Sequence, residues 1–393
     1  MRIPTWENWF ATTPSTASKR RSDLRIGIPR VLNVWSTHQF WIGFFSALGV
    51  ERIVFSSQTS EEQGRTFGRG RGTVDCCYPV CMSGHYGELV FGQKRKIDIL
   101  FSPMIRSLPS CLAGHVVDSL SCPRVMAGPE NIKAGFTRER DVFAQEQIDY
   151  ISPLVLAEPR LVPKQLHQSL AGAIAGLTYA ETSKAVTAGY AALERFNRMA
   201  RGASSEVLAQ CARSSRPCIL ILARPYHLDT GIGHEIEIDL QAYGYPILWA
   251  QYLPTDASLL DWLFGDDLRS GAIASPFDIS DVWPSSYSGN TNEILWGAKV
   301  GARLPWVTCV VRLTSYECGM DQPTFTPVQQ IVEGSGTLFF SFQDLDCTKP
   351  AGSVKIRVET IAHYLECHSP RIIREKLARL SPGCPLMAGD TAS

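Results

Sequence analysis

Short apolar runs alternate with longer helix-like segments, each closed by a turn signal, and this rhythm most narrows what the chain can fold into. Arg25-Ile-Gly-Ile-Pro-Arg30 reads as a strand running into a turn. Phe40 to Leu48 (Phe-Trp-Ile-Gly-Phe-Phe-Ser-Ala-Leu) reads as a buried helix stopped at Gly49, a C-cap signal. Arg52-Ile-Val-Phe55 is the next strand, followed by Ile97-Asp-Ile-Leu-Phe101, which Pro103 stops. Strand, helix, strand at this spacing predicts a parallel, doubly wound α/β sheet. Between Pro163 and Ala212 the pattern becomes helical: Leu166, Leu170, Ile174 and Leu177, then Ala191, Leu193, Phe196 and Met199, recur at helical spacing. Arg213-Ser-Ser-Arg-Pro217 reads as a linker, and Cys218-Ile-Leu-Ile-Leu-Ala223 opens a second α/β pattern. Further strands are predicted at Pro246 to Trp249, Trp306 to Leu313 and Thr337 to Phe342. The stretch from Leu253 to Ser286, rich in Asp, Pro and Ser, reads as loops and short helices.

At 393 residues the chain exceeds one ordinary core. The expected division is a loose arm over 1–24, a first α/β lobe over 25–160, a helical connector over 161–213, a second α/β lobe over 214–366 and a peripheral tail over 367–393. Both lobes are expected to be doubly wound (Rossmann- or flavodoxin-like), with the site between them. Lys plus Arg and Asp plus Glu are both 38, so no net charge draws the protein to nucleic acid or to an anionic membrane. No apolar run reaches the roughly 18–20 residues needed to span a bilayer, and Met1 to Arg21 lacks the apolar core of a secretory signal. The expected location is the cytoplasm.

Twelve cysteines in such a chain call for a use. Disulfide frameworks belong to short secreted domains, which leaves metal or cluster ligation beside plain burial. Cys77 opens Cys-Tyr-Pro-Val, Cys122 closes Ser-Leu-Ser-Cys-Pro, and Cys318 sits in Ser-Tyr-Glu-Cys-Gly-Met-Asp. Each follows a strand-like stretch and precedes a turn, and strand ends of an open α/β sheet converge on one crevice. Three thiolates meeting there can hold a metal cluster and leave one position open. By spacing alone, three buried thiols near strand ends account for the pattern equally well. Cys76 and Cys81 flank Cys77 and are candidates for spare or redox-active thiols.

Common local signatures are missing. There is no ferredoxin-type cysteine run and no pair of Cys-x2-Cys knuckles for zinc. Cys77-Tyr-Pro-Val-Cys81-Met-Ser-Gly84 lacks the third cysteine that a radical enzyme using S-adenosylmethionine needs. No phosphate-binding glycine motif for ATP or a dinucleotide occurs. Phe67-Gly-Arg-Gly-Arg-Gly72 reads as a flexible loop rather than an RNA contact. The second dense motif is Ala223-Arg-Pro-Tyr-His227-Leu-Asp229-Thr-Gly-Ile-Gly-His234, directly after an apolar strand. Arg224, His227 and His234 are candidates for substrate or proton contacts. The alternatives are a structural loop in which His227 hydrogen-bonds Asp229, or a two-histidine metal site from His227 and His234.

Several stretches together carry a resemblance. These are Arg25-Ile-Gly-Ile-Pro-Arg-Val-Leu-Asn33, Asp75-Cys-Cys-Tyr-Pro79, Asp118-Ser-Leu-Ser-Cys-Pro123 and Arg224-Pro-Tyr-His-Leu-Asp229. They continue with Asp281-Val-Trp-Pro-Ser-Ser-Tyr-Ser288, Ser315-Tyr-Glu-Cys-Gly-Met-Asp321, Asp344-Leu-Asp346 and Lys349 to Glu359. In this order they resemble the region following the ATPase domains in large activase-related proteins of the 2-hydroxyacyl-CoA dehydratase and benzoyl-CoA reductase group. The resemblance implies a two-lobed α/β fold in which Cys77, Cys122 and Cys318 ligate a 4Fe-4S cluster. Paired across a homodimer, two such sets would complete a double-cubane cluster. It also implies electrons from an ATP-dependent activase on another polypeptide, and a small substrate, such as an acyl-CoA, that is reduced or dehydrated. Two departures fall beside the implied ligands: Cys81 stands where the family pattern has Lys, and Met320 where it has His. Both remove a positive or proton-donating group. The alternative is a non-catalytic interaction or assembly subunit that keeps the fold, and a zinc protein using the same thiols is a third reading.

Overall fold

Two parallel four-stranded sheets with the same strand order carry the chain. The computed structural model describes residues 21–71, 79–92, 96–156, 158, 160–315, 318–345 and 351–387. Its strands are β1 (Arg25–Ile28), β2 (Arg52–Phe55), β3 (Ile99–Phe101), β4 (Met104–Ile105), β5 (Asp149–Ile151), β6 (Leu154–Val155), β7 (Cys218–Leu222), β8 (Ile247–Trp249), β9 (Val307–Ser315) and β10 (Leu338–Leu345). The first sheet runs β2-β1-β3-β5 and the second β8-β7-β9-β10, while β4 and β6 form a separate two-stranded ribbon. Every named pairing is parallel, with Ile26 opposite Ile53 and Ile99, and Ile219 opposite Ile247 and Cys309. Strand order therefore reverses between β1 and β3 and again between β7 and β9. Such switch points open a crevice at the carboxyl ends of the strands.

The expected two-lobe α/β fold is the one observed. β7 and β9 are buried along their whole length, as strands covered by helices on both faces must be. The helix Val34–Ala47 ends where expected, with Gly49 at φ 81° in the left-handed conformation that glycine adopts without steric cost. The connector consists of Val162–Leu170 and the 36-residue helix Tyr179–Ser214, which starts in a Thr178/Glu181 capping box. Its Val186 and Leu193 join the first lobe's core, while Phe196, Ala200 and Leu208 join apolar clusters of the second. Gly43 and Gly189 let the first-lobe helix cross the connector closely: a Cβ on Gly43 would stand 2.7 Å from the Ala192 methyl.

Three expectations need correction. Of the arm placed at 1–24, residues 21–24 are packed. Arg21 is buried, and its guanidinium donates to Glu181 at 3.3 Å and to the carbonyls of Leu48 and Ala175. Residues 1–20 lie outside the described residues. The segment Leu253 to Ser286 contains a full helix, Ala257–Ser270, whose Leu259, Leu260, Leu263 and Phe264 enter the second lobe's core. The tail does not begin at 367, because the helix Ala351–Leu377 runs unbroken through Glu366. Ile372 and Ile373 on it are buried, and the Lys376 ammonium donates to the carbonyls of Gly301 (2.8 Å), Leu304 (3.0 Å) and Val307 (2.7 Å). Three donors meeting three acceptors make this buried cation sustainable, though burial still lowers its pKa to about 7.

Candidate functional site

The site forms where β7 and β9 end and a segment of the first lobe comes across to meet them. Arg224 leaves β7 at the carboxyl end of that strand, and Ser315, Cys318 and Asp321 follow from β9. Arg224 and Asp321 are both buried. The Arg224 guanidinium donates to Asp321 Oδ1 through Nε (3.1 Å) and Nη2 (2.9 Å), and Nη2 also reaches Thr291 Oγ1 at 3.2 Å. Asp321 Oδ2 accepts from Thr314 Oγ1 at 2.9 Å. Burial alone would raise the Asp321 carboxyl, but Arg224, Arg312 and Thr314 outweigh it and hold its pKa below the usual value. Arg312, in the middle of β9, props up the turn by donating to the carbonyls of Asp321 (3.0 Å) and Thr324 (2.8 Å), with its plane 4.0 Å from the Phe325 ring. The turn that carries Cys318 is thus pinned from beneath by two buried arginines.

Cys318 is 4 % exposed. Burial is the main push raising its thiol pKa, the Arg224 charge opposes this, and Cys122 adds to the rise. Cys122 and Cys318, almost two hundred residues apart in sequence, therefore sit close enough for their charges to couple. Cys122 is the half-buried N-cap of the helix Pro123–Thr137, although its side chain makes no capping hydrogen bond. The backbone that delivers it is tied across the lobes: Leu120 bridges Ser288, and Asn292 donates to the Asp118 carbonyl at 2.9 Å.

Cys76 and Cys77 lie outside the described residues, as does the side chain of Cys81. The helix Pro79–Phe91, which starts two residues after Cys77, packs against the helix Pro123–Thr137. A Cβ on Gly128 of the second helix would lie 3.0 Å from the Met82 methyl of the first. Among the described residues, no group of three or more His, Cys, Asp or Glu side chains is arranged to hold a metal ion. Of the three expected ligands, Cys122 and Cys318 are described and Cys77 is not.

His227 is fully buried one short turn beyond Arg224. Its Nδ1 donates to the Arg224 carbonyl at 3.2 Å, which leaves Nε2 to accept from Ser315 Oγ at 3.4 Å. Burial lowers its pKa to about 4, so the ring is neutral near pH 7. The expected partner Asp229 is not its partner. Asp229 caps the following turn through Gly231 N (2.9 Å) and accepts from Thr59 of the first lobe through N (3.1 Å) and Oγ1 (2.9 Å). His234 lies near enough for its charge to act on His227. It has φ 54° and is followed by Glu235 at φ 57°, two successive left-handed residues without glycine's freedom. Met320 contributes its backbone, with its carbonyl 3.4 Å from Thr291 Oγ1.

Sequence reading singled out Arg224, His227 and Cys318 but missed Asp321, Thr291 and Arg312. Arg312 could have been found as a lone charge inside the apolar run Val307 to Leu313. Thr291 carries no local signal, because its role exists only once the helix Gly289–Arg303 is docked. Against known proteins, residues 25–253 match the family model described as a CoA enzyme activase uncharacterised domain. The match takes in the first lobe, the connector, Arg224, His227 and His234, and it stops short of Cys318. No curated protein matches the chain.

Proposed function

The chain belongs to the CoA enzyme activase-related family, and on that premise we propose that Cys77, Cys122 and Cys318 hold a 4Fe-4S cluster. In this reading the protein is the electron-accepting partner of an ATP-dependent activase on another polypeptide. The observation that carries it is the convergence of Cys122 and Cys318 beside the buried Arg224 cation. The donor set fits: soft thiolates suit iron–sulfur ligation, and a fixed positive charge offsets the negative charge they bring into a buried site. When bound, the group supplies one-electron transfer at a position that three protein ligands leave open.

The chain's own residues set the surroundings. Arg224, clamped by Asp321 and Thr291, keeps its charge beside Cys318 whatever the pH near neutrality. Neutral His227 orients Ser315 at the end of β9. His234, at the edge of the same loop, is the candidate for exchanging protons with a small substrate, an acyl-CoA among them. Two copies of the chain would bring six thiolates together, so a homodimer is part of the proposal.

A second reading is an assembly subunit without a reaction of its own. It is favoured by Met320 in place of a proton-donating side chain, and by the way Arg224 and Asp321 satisfy each other. Anaerobic reconstitution with iron and sulfide separates the two. The cluster reading expects about four irons and four sulfides per chain, with loss in Cys77→Ala, Cys122→Ala and Cys318→Ala. A colourless protein with no bound iron, and with all three variants folding like the parent, leaves the assembly reading. Bound zinc in place of iron would replace both.

A further inference from the structure

A second polar site lies on the other side of the helix Gly289–Arg303 from Cys122 and Cys318. Thr291 on its first turn meets Arg224, whereas Asn290 and Glu293 line a cavity of about 370 Å³ between the lobes. That volume is within the range of small-molecule sites. The connector helix contributes Arg198 and Arg201, one turn apart, and the second lobe adds Gln251. Neither arginine makes a hydrogen bond or a close ion pair with a described residue, and the Arg201 Nε is buried with no partner among them. Gln251 gives its amide N–H to the Ala223 carbonyl, and its Oε1 is likewise buried and unpartnered. The same cavity thus holds a buried guanidinium Nε–H without an acceptor and an amide oxygen without a donor, groups that a bound molecule could satisfy.

Neither acid lining the cavity, Glu293 or the exposed Glu194, pairs closely with the arginines. Glu293 Oε1 and Oε2 meet Ser110 and Asn290 only at 3.4 Å, and burial pushes its carboxyl up to about 7 against the pull of Asn290 and Arg201. It carries only part of a negative charge near neutrality, so with Glu194 the two acids leave the two guanidiniums a partial positive excess. A doubly charged phosphate would meet Glu293 and Glu194 at close quarters. A singly charged carboxylate fits a planar guanidinium and adds less repulsion.

We infer that this interlobe cavity binds a small organic carboxylate that also carries a hydrogen-bond donor, with its carboxylate on Arg201 and its donor on Gln251 Oε1. Arg198, exposed at the mouth, draws the anion in. The site is independent of any cluster, so it is tested on protein free of iron. The probes are acetate, lactate, malate and inorganic phosphate, followed by calorimetric titration and thermal shift. Lactate or malate should bind saturably and more tightly than acetate or phosphate. Arg201→Ala should weaken that binding by roughly tenfold or more, the loss expected for a hydrogen bond to a charged group, and Arg198→Ala by a smaller factor. Arg198 is exposed, so its variant keeps the test alive if Arg201→Ala does not fold. Absence of saturable binding by lactate and malate, phosphate binding more tightly than both, or binding unchanged in every folded variant would each overturn the inference.

Discussion

The same strand order frames different chemistry at the carboxyl ends of the two sheets. In the first lobe the ends are closed around a neutral imidazole, with the Glu88 carboxylate accepting from Ser57 and Gln63 at the edge. His85 on the helix Pro79–Phe91 sits between Ser56 Oγ and Thr59 Oγ1, each at 2.9 Å, and Tyr86 bonds Ser102 just after β3. In the second lobe they are closed by a buried ion pair, a second buried arginine and a thiol. Neutral pairs need no counter-charge once desolvated, so they suit a platform. Charges buried without water are expensive and persist only where geometry satisfies them. The lobes thus divide the work: the first supplies shape and Cys122, and the second holds the fixed charge that any reactive group would feel.

If that division is right, removing one partner of the second lobe's ion pair has the largest effect. Asp321→Ala leaves Arg224 buried and unpaired, and should cost about 3–5 kcal/mol in urea denaturation. The double variant Arg224→Met/Asp321→Leu should recover much of that loss. Gly231→Ala tests the joint between the lobes, since a Cβ there would overlap the Thr59 carbonyl oxygen. A cost of about 3 kcal/mol, the upper end for overpacking, is expected. Thr59→Val removes hydrogen bonds to both Asp229 and His85 and should cost roughly 2.5 kcal/mol, less than two charged bonds because the Thr59 and Gly231 amides still donate to Asp229.

The smallest effect is a slope. Burial lowers His85 to about 3 and His227 to about 4, so the unfolded chain binds protons that the folded one refuses. Stability from each ring is complete above the unfolded pKa of about 6.5 and is lost as pH falls toward the folded value. Replacing His85 with Gln should flatten the acid limb by at most one proton, about 1.4 kcal/mol per pH unit. An unchanged slope between pH 6 and pH 4 would mean that the first lobe's network tolerates charge, and the contrast between the lobes would go.

Much of this was legible in the chain. The predicted strands before and after the connector lie on β1, β2, β3, β7, β8, β9 and β10, because long apolar runs between glycine and proline punctuation are hard to build otherwise. β5 and the ribbon of β4 and β6 escaped, since strands of two or three residues leave no period to read. The helix Ala257–Ser270 was hidden by its Asp and Ser content, although Leu259, Leu260, Leu263 and Phe264 carried the helical spacing. The first α/β lobe was expected to supply Cys77 and Cys122; of these Cys122 now stands near Cys318, and Cys77 lies outside the described residues. What could not be read was pairing at a distance: Asp229 with Thr59, Arg224 with Thr291, and Asn33 with Asn290 at 3.1 Å. Local patterns mark elements, but docking decides which polar groups meet.

The connector has a mechanical consequence. Thirty-six residues in one helix, at about 1.5 Å each, make a rod on the order of 50 Å long. One half is embedded in the first lobe's core and the other half in the second's. A rod anchored at both ends transmits load instead of flexing, so the lobes do not swing apart about it as they would about a loose tether. Cys122 on one lobe and Cys318 on the other are thus carried by two bodies that one continuous rod joins.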